Sequence, residues 1–213
     1  MWRDRIEAGR ELAEELARRG YADRLDVTVL GIPRGGVEVA AEVADRLKAP
    51  LDVAVVRKIG SPGNPEFAAG AVDPDGRVYP NPQAGVGEAW LREAAVPEHA
   101  EALRRIEAYR GGRPALAVSG KTVVLVDDGI ATGLTALAAL SWLRGRGATR
   151  TVLAAPAMAP DTVRRLEREC DEIVALETPP GFYAVGAFYE SFPQLSDSDV
   201  TRLLASRAPA PGA

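Results

Sequence analysis

Hydrophobic and polar positions along the chain follow two spacings, which predict alternating strands and helices. Mainly apolar runs with the length of buried strands occupy 27–30, 51–56, 122–126, 152–155 and 173–176. Segments with apolar residues at helical spacing lie at 3–19, 37–47, 85–109, 132–143 and 161–169, with a further helix after Asp197. Pro97 should break the longest of these helices. The alternation predicts an α/β fold with a Rossmann-like parallel sheet flanked by helices.

Two segments depart from this alternation. The runs 67–72 and 77–79 flank a turn rich in Asp, Pro and Gly, which predicts a hairpin. We interpret 73–120, in which no residue is assigned a chemical role, as an insertion that forms a hood or a subunit contact. We predict a single domain over 1–213, with a frayed end at 208–213.

Composition and charge narrow the classes of function. The chain has 213 residues, 46% of them hydrophobic, and a net charge of −4 with a pI near 5.2. An acidic chain lacks the broad positive surface that nucleic acid requires, so we expect a small-molecule partner. The polar N-terminus and the lack of a long apolar run predict a cytoplasmic protein with no membrane partner. One cysteine, Cys170, and one histidine, His99, exclude an intramolecular disulfide and make no closed zinc site.

The segment 123–135, VVLVDDGIATGLT, carries the clearest chemical signal. Asp127 and Asp128 follow a buried strand at the end where open α/β sheets bind ligands. The small residues after them open a helix and offer amides and hydroxyls suited to a phosphate. The two carboxylates would repel that phosphate, so they should face a ribose diol or hydrated magnesium. An Asp-Asp pair can also simply end a strand and cap a helix, but the full pattern favours a phosphorylated sugar.

This segment resembles the phosphoribosyl pyrophosphate (PRPP) signature of type I phosphoribosyltransferases. The resemblance implies that fold, with a small hood subdomain. It implies catalytic roles for Asp127 and Asp128, which would hold the ribose hydroxyls and a magnesium ion. The implied ligands of the 5-phosphate are Ala131, Thr132, Gly133, Leu134 and Thr135, with Leu134 at a position where the family commonly has glycine.

Two loops extend the resemblance to the pyrophosphate side of the site. The implied pyrophosphate ligands are Pro33, Arg34, Gly35, Gly36, Arg57 and Lys58, the last two also catalytic. The basic pair would follow the second strand on the same sheet edge; the alternative is a solvated strand end. Family members often hold a non-proline cis peptide in the first loop, so the Pro33–Arg34 bond and the Arg34–Gly35 bond are the two candidates. The segment 60–66 resembles in position the flexible loop that closes over the substrate, or it is a static turn.

A third stretch, within 178–192, is similar to the base-binding loop of hypoxanthine-type members. It implies base contacts from Tyr183 and Val185 and a metal ligand in Glu190. The aromatic residues here could equally form a small satellite core. No lysine follows Lys121, so the lysine with which those enzymes recognise the purine oxygen is missing.

Together these features predict a Mg²⁺-dependent enzyme that transfers the phosphoribosyl group of PRPP to a nucleobase-like acceptor. By family habit we expect a homodimer. The alternative is a PRPP- or nucleotide-sensing regulator of the same fold, which would need a nucleic-acid surface. Other phosphate chemistries are disfavoured because the P-loop and dinucleotide-binding glycine patterns are absent from the sequence.

Overall fold

The computed structural model describes residues 1–207, without the side chain of Glu66. The predicted fraying of 208–213 concerns residues outside that range. The strands are β1 (Val27–Gly31), β2 (Leu51–Val53), β3 (Arg57–Ser61), β4 (Asn64–Val72), β5 (Val78–Pro80), β6 (Thr122–Val126), β7 (Arg150–Ala157) and β8 (Glu172–Glu177). The α-helices are α1 (Arg5–Arg18), α2 (Gly35–Leu47), α3 (Glu88–Arg110), α4 (Leu134–Gly145), α5 (Pro160–Leu166) and α6 (Asp197–Ala205). Short 3₁₀ turns cover Pro82–Ala84 and Val185–Phe188.

Five strands form the central sheet, in the order β2-β1-β6-β7-β8, and every neighbouring pair is parallel. The strands β1 and β6 are buried along their whole length, as a sheet covered on both faces requires. Their alternate residues belong to two different cores: Val124 and Val126 pack towards α1 and α2, whereas Val123 and Leu125 pack towards α4. The predicted α/β fold with a parallel sheet flanked by helices is therefore confirmed.

A second, antiparallel sheet of order β3-β4-β5 lies beside the first. The predicted hairpin around 73–76 is confirmed as the β4–β5 connection. The strand predicted over 51–56 is too long, because it ends at Val53 and the chain then turns into β3. The predicted loop at 60–66 is also wrong in extent, since all but its tip pairs as the β3–β4 hairpin. Apolar runs do not reveal which of two sheets a residue joins.

The helix α3 runs without a break from Glu88 to Arg110, so the predicted interruption at Pro97 is wrong. Pro97 costs one backbone hydrogen bond, but the helix is held on both sides of it. Leu91 and Ala95 pack on the small sheet, and the buried Tyr109 donates a hydrogen bond to Asp197 of α6 at 2.8 Å. Tertiary packing therefore outweighs the local preference.

The N-terminal segment is joined to the loop that precedes α6. Trp2 donates its amide to the Phe188 carbonyl at 2.8 Å and accepts from the Glu190 amide at 2.8 Å. Trp2 and Tyr189 are buried, with ring centroids 5.8 Å apart. The N-terminal segment thus fixes the loop that precedes α6. Among residues 1–207, no helix combines the length and the apolarity that a membrane crossing would require.

Candidate functional site

The loop after β1 and the loop after β6 meet at the carboxyl edge of the central sheet. Ile32 donates its amide to the Val126 carbonyl at 2.8 Å. A Cβ on Gly36 would lie 2.8 Å from the Asp127 Cα, and one on Gly35 would overlap the Asp128 carboxylate. Only glycine at both positions lets the start of α2 approach the aspartates this closely. The Pro33–Arg34 bond is cis, which confirms one of the two predicted positions.

The two aspartates are partly buried and hydrogen-bonded. The Asp127 Oδ1 atom accepts the Asp128 amide at 2.9 Å, and the Asp128 Oδ2 atom accepts the Arg5 Nε–H at 2.7 Å. Burial raises the pKa of Asp127 well above its usual range, and the adjacent Asp128 charge adds to that rise. Burial also raises the pKa of Asp128, while the Arg5 guanidinium opposes the rise. Positive charge from a ligand would favour the ionised form of both.

Arg5 is a site residue that the sequence did not reveal. Its side chain is only 5% exposed, and besides Asp128 it contacts the Pro193 carbonyl at 2.8 Å and Glu38 at 3.9 Å. Its guanidinium carbon lies 3.8 Å from the centroid of the Phe192 ring. In sequence it is one arginine among several in an amphipathic helix, and no local pattern marks it as buried.

The loop between Asp128 and α4 presents free polar groups. Within residues 1–207, the amides of Ala131, Thr132 and Gly133 donate to no acceptor, and the hydroxyls of Thr132 and Thr135 have no partner. Gly133 has a φ of 65° and immediately precedes Leu134, the first residue of α4. This is the geometry with which helix N-termini bind anions. The five predicted 5-phosphate ligands thus follow the aspartates closely along the chain, with Ala131, Thr132 and Gly133 in the loop and Leu134 and Thr135 in the first turn of α4.

Two of the three basic residues predicted to bind pyrophosphate, Arg34 and Arg57, form ion pairs with carboxylates from other elements. The Arg34 Nη1 atom lies 3.6 Å from Asp197 of α6, and the Arg57 Nη2 atom lies 2.6 Å from Glu98 of α3. Arg57 and Lys58 were predicted to follow β2 at the edge of the central sheet, and this placement is wrong. They begin β3 of the second sheet, where Lys58 is opposite Ala71. Their roles towards pyrophosphate stay predictions.

The loop predicted to bind the base is divided between a packed part and an exposed part. Phe188 and Tyr189 belong to a satellite core with Trp2, as the alternative interpretation held. Tyr189 donates its hydroxyl to the Asp128 carbonyl at 2.5 Å. Val185 packs directly over Gly129, whereas the Tyr183 side chain is 96% exposed.

Glu190 is exposed, and the structure does not gather it with Asp127 and Asp128. No group of three or more His, Cys, Asp or Glu side chains within residues 1–207 is arranged to hold a metal ion. The base-binding and metal-binding assignments in this loop therefore remain predictions.

A family model described as the phosphoribosyl transferase domain matches residues 2–183. The chain belongs to the phosphoribosyl transferase family. This membership confirms the resemblance that the segment 123–135 carries.

Relatives within the family share nearly half of the sequence. The crystal structure of TT1426 from Thermus thermophilus is 46% identical, with a TM-score of 0.82, over 98% of this chain and 99% of that one. Two Mycobacterium tuberculosis proteins, from strains CDC 1551 / Oshkosh and ATCC 25618 / H37Rv, are 47% identical over 206 residues. Both are named as candidate phosphoribosyl transferases. The match covers 94% of this chain but 46% of those proteins, so the chain spans about half their length.

Proposed function

We propose that this phosphoribosyl transferase domain transfers the 5-phosphoribosyl group of PRPP to a nitrogen of a nucleobase-like acceptor, with release of pyrophosphate. One observation carries the proposal: the paired carboxylates of Asp127 and Asp128 lie directly beside a loop of unpartnered amides that opens α4. The first group suits a ribose diol and the second suits a phosphate monoester. PRPP presents both at the spacing of one sugar ring.

The chain's own residues would act mainly by electrostatic preorganisation. Asp127 and Asp128 would accept hydrogen bonds from the ribose hydroxyls and favour the positive charge that develops on the sugar ring. Their low-dielectric surroundings strengthen both effects. The buried Arg5 fixes the orientation of one carboxylate before substrate arrives.

Arg34 and Arg57 would bind the departing pyrophosphate. In the structure each has a carboxylate partner, Asp197 and Glu98 respectively. The substrate's pyrophosphate would have to displace those carboxylates, which have the same sign of charge and similar acceptor oxygens. The Asp197 and Glu98 carboxylates would hold the two guanidinium groups in place while no anion is bound.

Asp127 and Asp128 would hold a magnesium ion only together with oxygens that the substrate supplies. Asp127 and Asp128 keep carboxylate oxygens that the described contacts do not use, but no third ligand joins them within residues 1–207. Mg²⁺ is commonly held by one or two carboxylates together with substrate phosphates and water. Bound in that way, the ion would neutralise charge on the pyrophosphate leaving group.

The acceptor would lie on the side of the exposed Tyr183, whose ring is free to stack on a flat heterocycle. Val185 would border the same space from above Gly129. The missing lysine after Lys121 argues for an acceptor other than hypoxanthine or guanine. The proposed enzyme would work in the cytoplasm as a homodimer.

Turnover of PRPP tests this proposal. The protein is incubated with PRPP, Mg²⁺ and a panel of nucleobases, and pyrophosphate and nucleotide products are quantified by mass spectrometry. We expect one base to give equal amounts of both products, and the Asp127→Asn/Asp128→Asn double variant to give neither. PRPP binding without turnover for any base would favour the ligand-sensing alternative, which RNA and DNA binding assays then test.

A further inference from the structure

Three consecutive carbonyl groups of the loop that leads into α4 accept hydrogen bonds from one neighbouring segment, 159–165, which contains most of α5. The pairs, with the carbonyl first, are Ile130 with the Ala159 amide at 2.9 Å, Ala131 with the Thr162 hydroxyl at 2.5 Å, and Thr132 with the Arg165 guanidinium. All three carbonyls are therefore directed towards the same side of the loop.

The orientation of these carbonyls determines the orientation of three amides. The peptide bonds of this loop are trans, so the C=O of one residue and the N–H of the next point in opposite directions. The N–H groups of Ala131, Thr132 and Gly133 therefore point away from 159–165. They are the same three amides that have no acceptor within residues 1–207. The contacts on one side of the loop thus present a row of amides, suited to an anion, on the other side.

Thr162 contacts the loop with both branches of its side chain. It is only 5% exposed, and within residues 1–207 its hydroxyl donates to the Ala131 carbonyl alone. Its methyl group covers the next turn of the loop, because a Cβ on Gly133 would lie 2.5 Å from the Thr162 Cγ2 atom. Arg165, in contrast, is exposed. Thr162 is therefore the buried side chain that fixes the orientation of this loop.

We propose that Thr162 is a positioning residue for the 5-phosphate site, whose hydroxyl holds the Ala131 carbonyl so that the amides of 131–133 face the substrate's phosphate. The inference rests on the proposed function and deepens it, since it adds a residue outside the segment 123–135 that does not touch the substrate. Amides that are already oriented bind an anion without the cost of turning the peptide groups. Without the hydroxyl, the peptide group between Ala131 and Thr132 would be free to turn its amide away.

Two pairs of proteins differ only in this hydroxyl. Thr162→Val replaces the hydroxyl of the wild type by a methyl group of similar size, and Thr162→Ala lacks the hydroxyl that Thr162→Ser keeps. PRPP affinity is measured by isothermal titration with Mg²⁺, at a temperature at which circular dichroism shows that each protein is folded. Within each pair, we expect the protein without the hydroxyl to bind PRPP about threefold to tenfold more weakly, the range for the loss of one hydrogen bond.

Thr151→Val is the matched control for a general loss of stability. Thr151 is 4% exposed, and its hydroxyl donates to Asp171 at 3.1 Å, at the opposite end of β7 from α5. This variant should also lose melting temperature, but its PRPP affinity should stay within about twofold of the wild type. Equal PRPP affinities within both Thr162 pairs, or a similar loss of affinity in Thr151→Val, would overturn the positioning role. A folded wild type that does not bind PRPP would instead contradict the proposed function, and the positioning role with it.

Discussion

Arg5 places a buried positive charge against Asp128, a residue 123 positions later in the chain. The two side chains are 5% and 14% exposed, so their attraction is only weakly screened by water. Phe192 covers the guanidinium on one side and the Pro193 carbonyl accepts a further N–H. The pair therefore links the N-terminal helix, the aspartate site and the segment before α6.

Removal of Arg5 should lower the free energy of unfolding. Arg5→Ala leaves Asp128 desolvated without its counter-charge, and breaking one partner of a buried pair typically costs about 3–5 kcal/mol in the free energy of unfolding. The control is Arg10→Ala on the same helix. Arg10 is 66% exposed where it pairs with Glu42, so its loss should cost about 1 kcal/mol or less. Urea denaturation measures both, and equal losses would show that Arg5 is not the anchor described above.

Among individual residues, the sequence predicts those whose chemistry lies in a contiguous motif. Asp127, Asp128 and the loop 131–135 are recognisable because a strand end, two carboxylates and a small-residue turn occur together. Arg5 and Arg165 reach the same loops from distant helices. Their proximity depends on how α1 and α5 pack, and a single sequence does not contain that information.

The site depends on one contact between secondary-structure elements, that of α2 with the end of β6. Gly36 meets the backbone of Val126 and Asp127, which cannot move as a flexible side chain could. The close approach brings the loop 33–36 to the aspartates. A bulkier residue would separate the two halves of the site.

Gly36→Ala should accordingly push α2 away from β6. Its Cβ would lie 2.8 Å from both the Asp127 Cα and the Val126 carbonyl oxygen, and overpacking of this kind typically costs about 1–3 kcal/mol. Gly145→Ala, at the end of α4 with no atom within 4 Å, is the matched control. It should leave stability unchanged or raise it by up to about 1 kcal/mol. Thermal denaturation of both variants measures the change in stability. An unchanged melting temperature for Gly36→Ala would contradict the close contact.

Element types could be predicted from the sequence more reliably than element partners. The five strands of the central sheet are buried apolar runs, and their identity follows from composition and spacing. The chain around Arg57 has no such signal, because β3 joins a sheet that is only half covered. Pro97 has a clear local signal, but the break that it predicts does not occur. The packing of Leu91 and Tyr109 on either side outweighs its local preference.

The whole molecule consists of a parallel sheet that carries the candidate site and a small antiparallel sheet with α3 beside it. The segments before α1 and before α6 close over the same region through Trp2, Tyr189 and Arg5. Arg34 and Arg57 connect this region to α6 and α3 by ion pairs. The candidate site is therefore bordered by elements from both ends and the middle of the chain.

Isothermal titration with PRPP shows whether the aspartate site binds this substrate. PRPP is titrated into the wild type and into the Asp127→Asn/Asp128→Asn variant, each with and without Mg²⁺, after circular dichroism has shown that both are folded. We expect micromolar binding by the wild type that depends on Mg²⁺ and is lost in the variant. A folded wild type that does not bind PRPP, or a variant that binds it equally well, would show that Asp127 and Asp128 do not form a PRPP site.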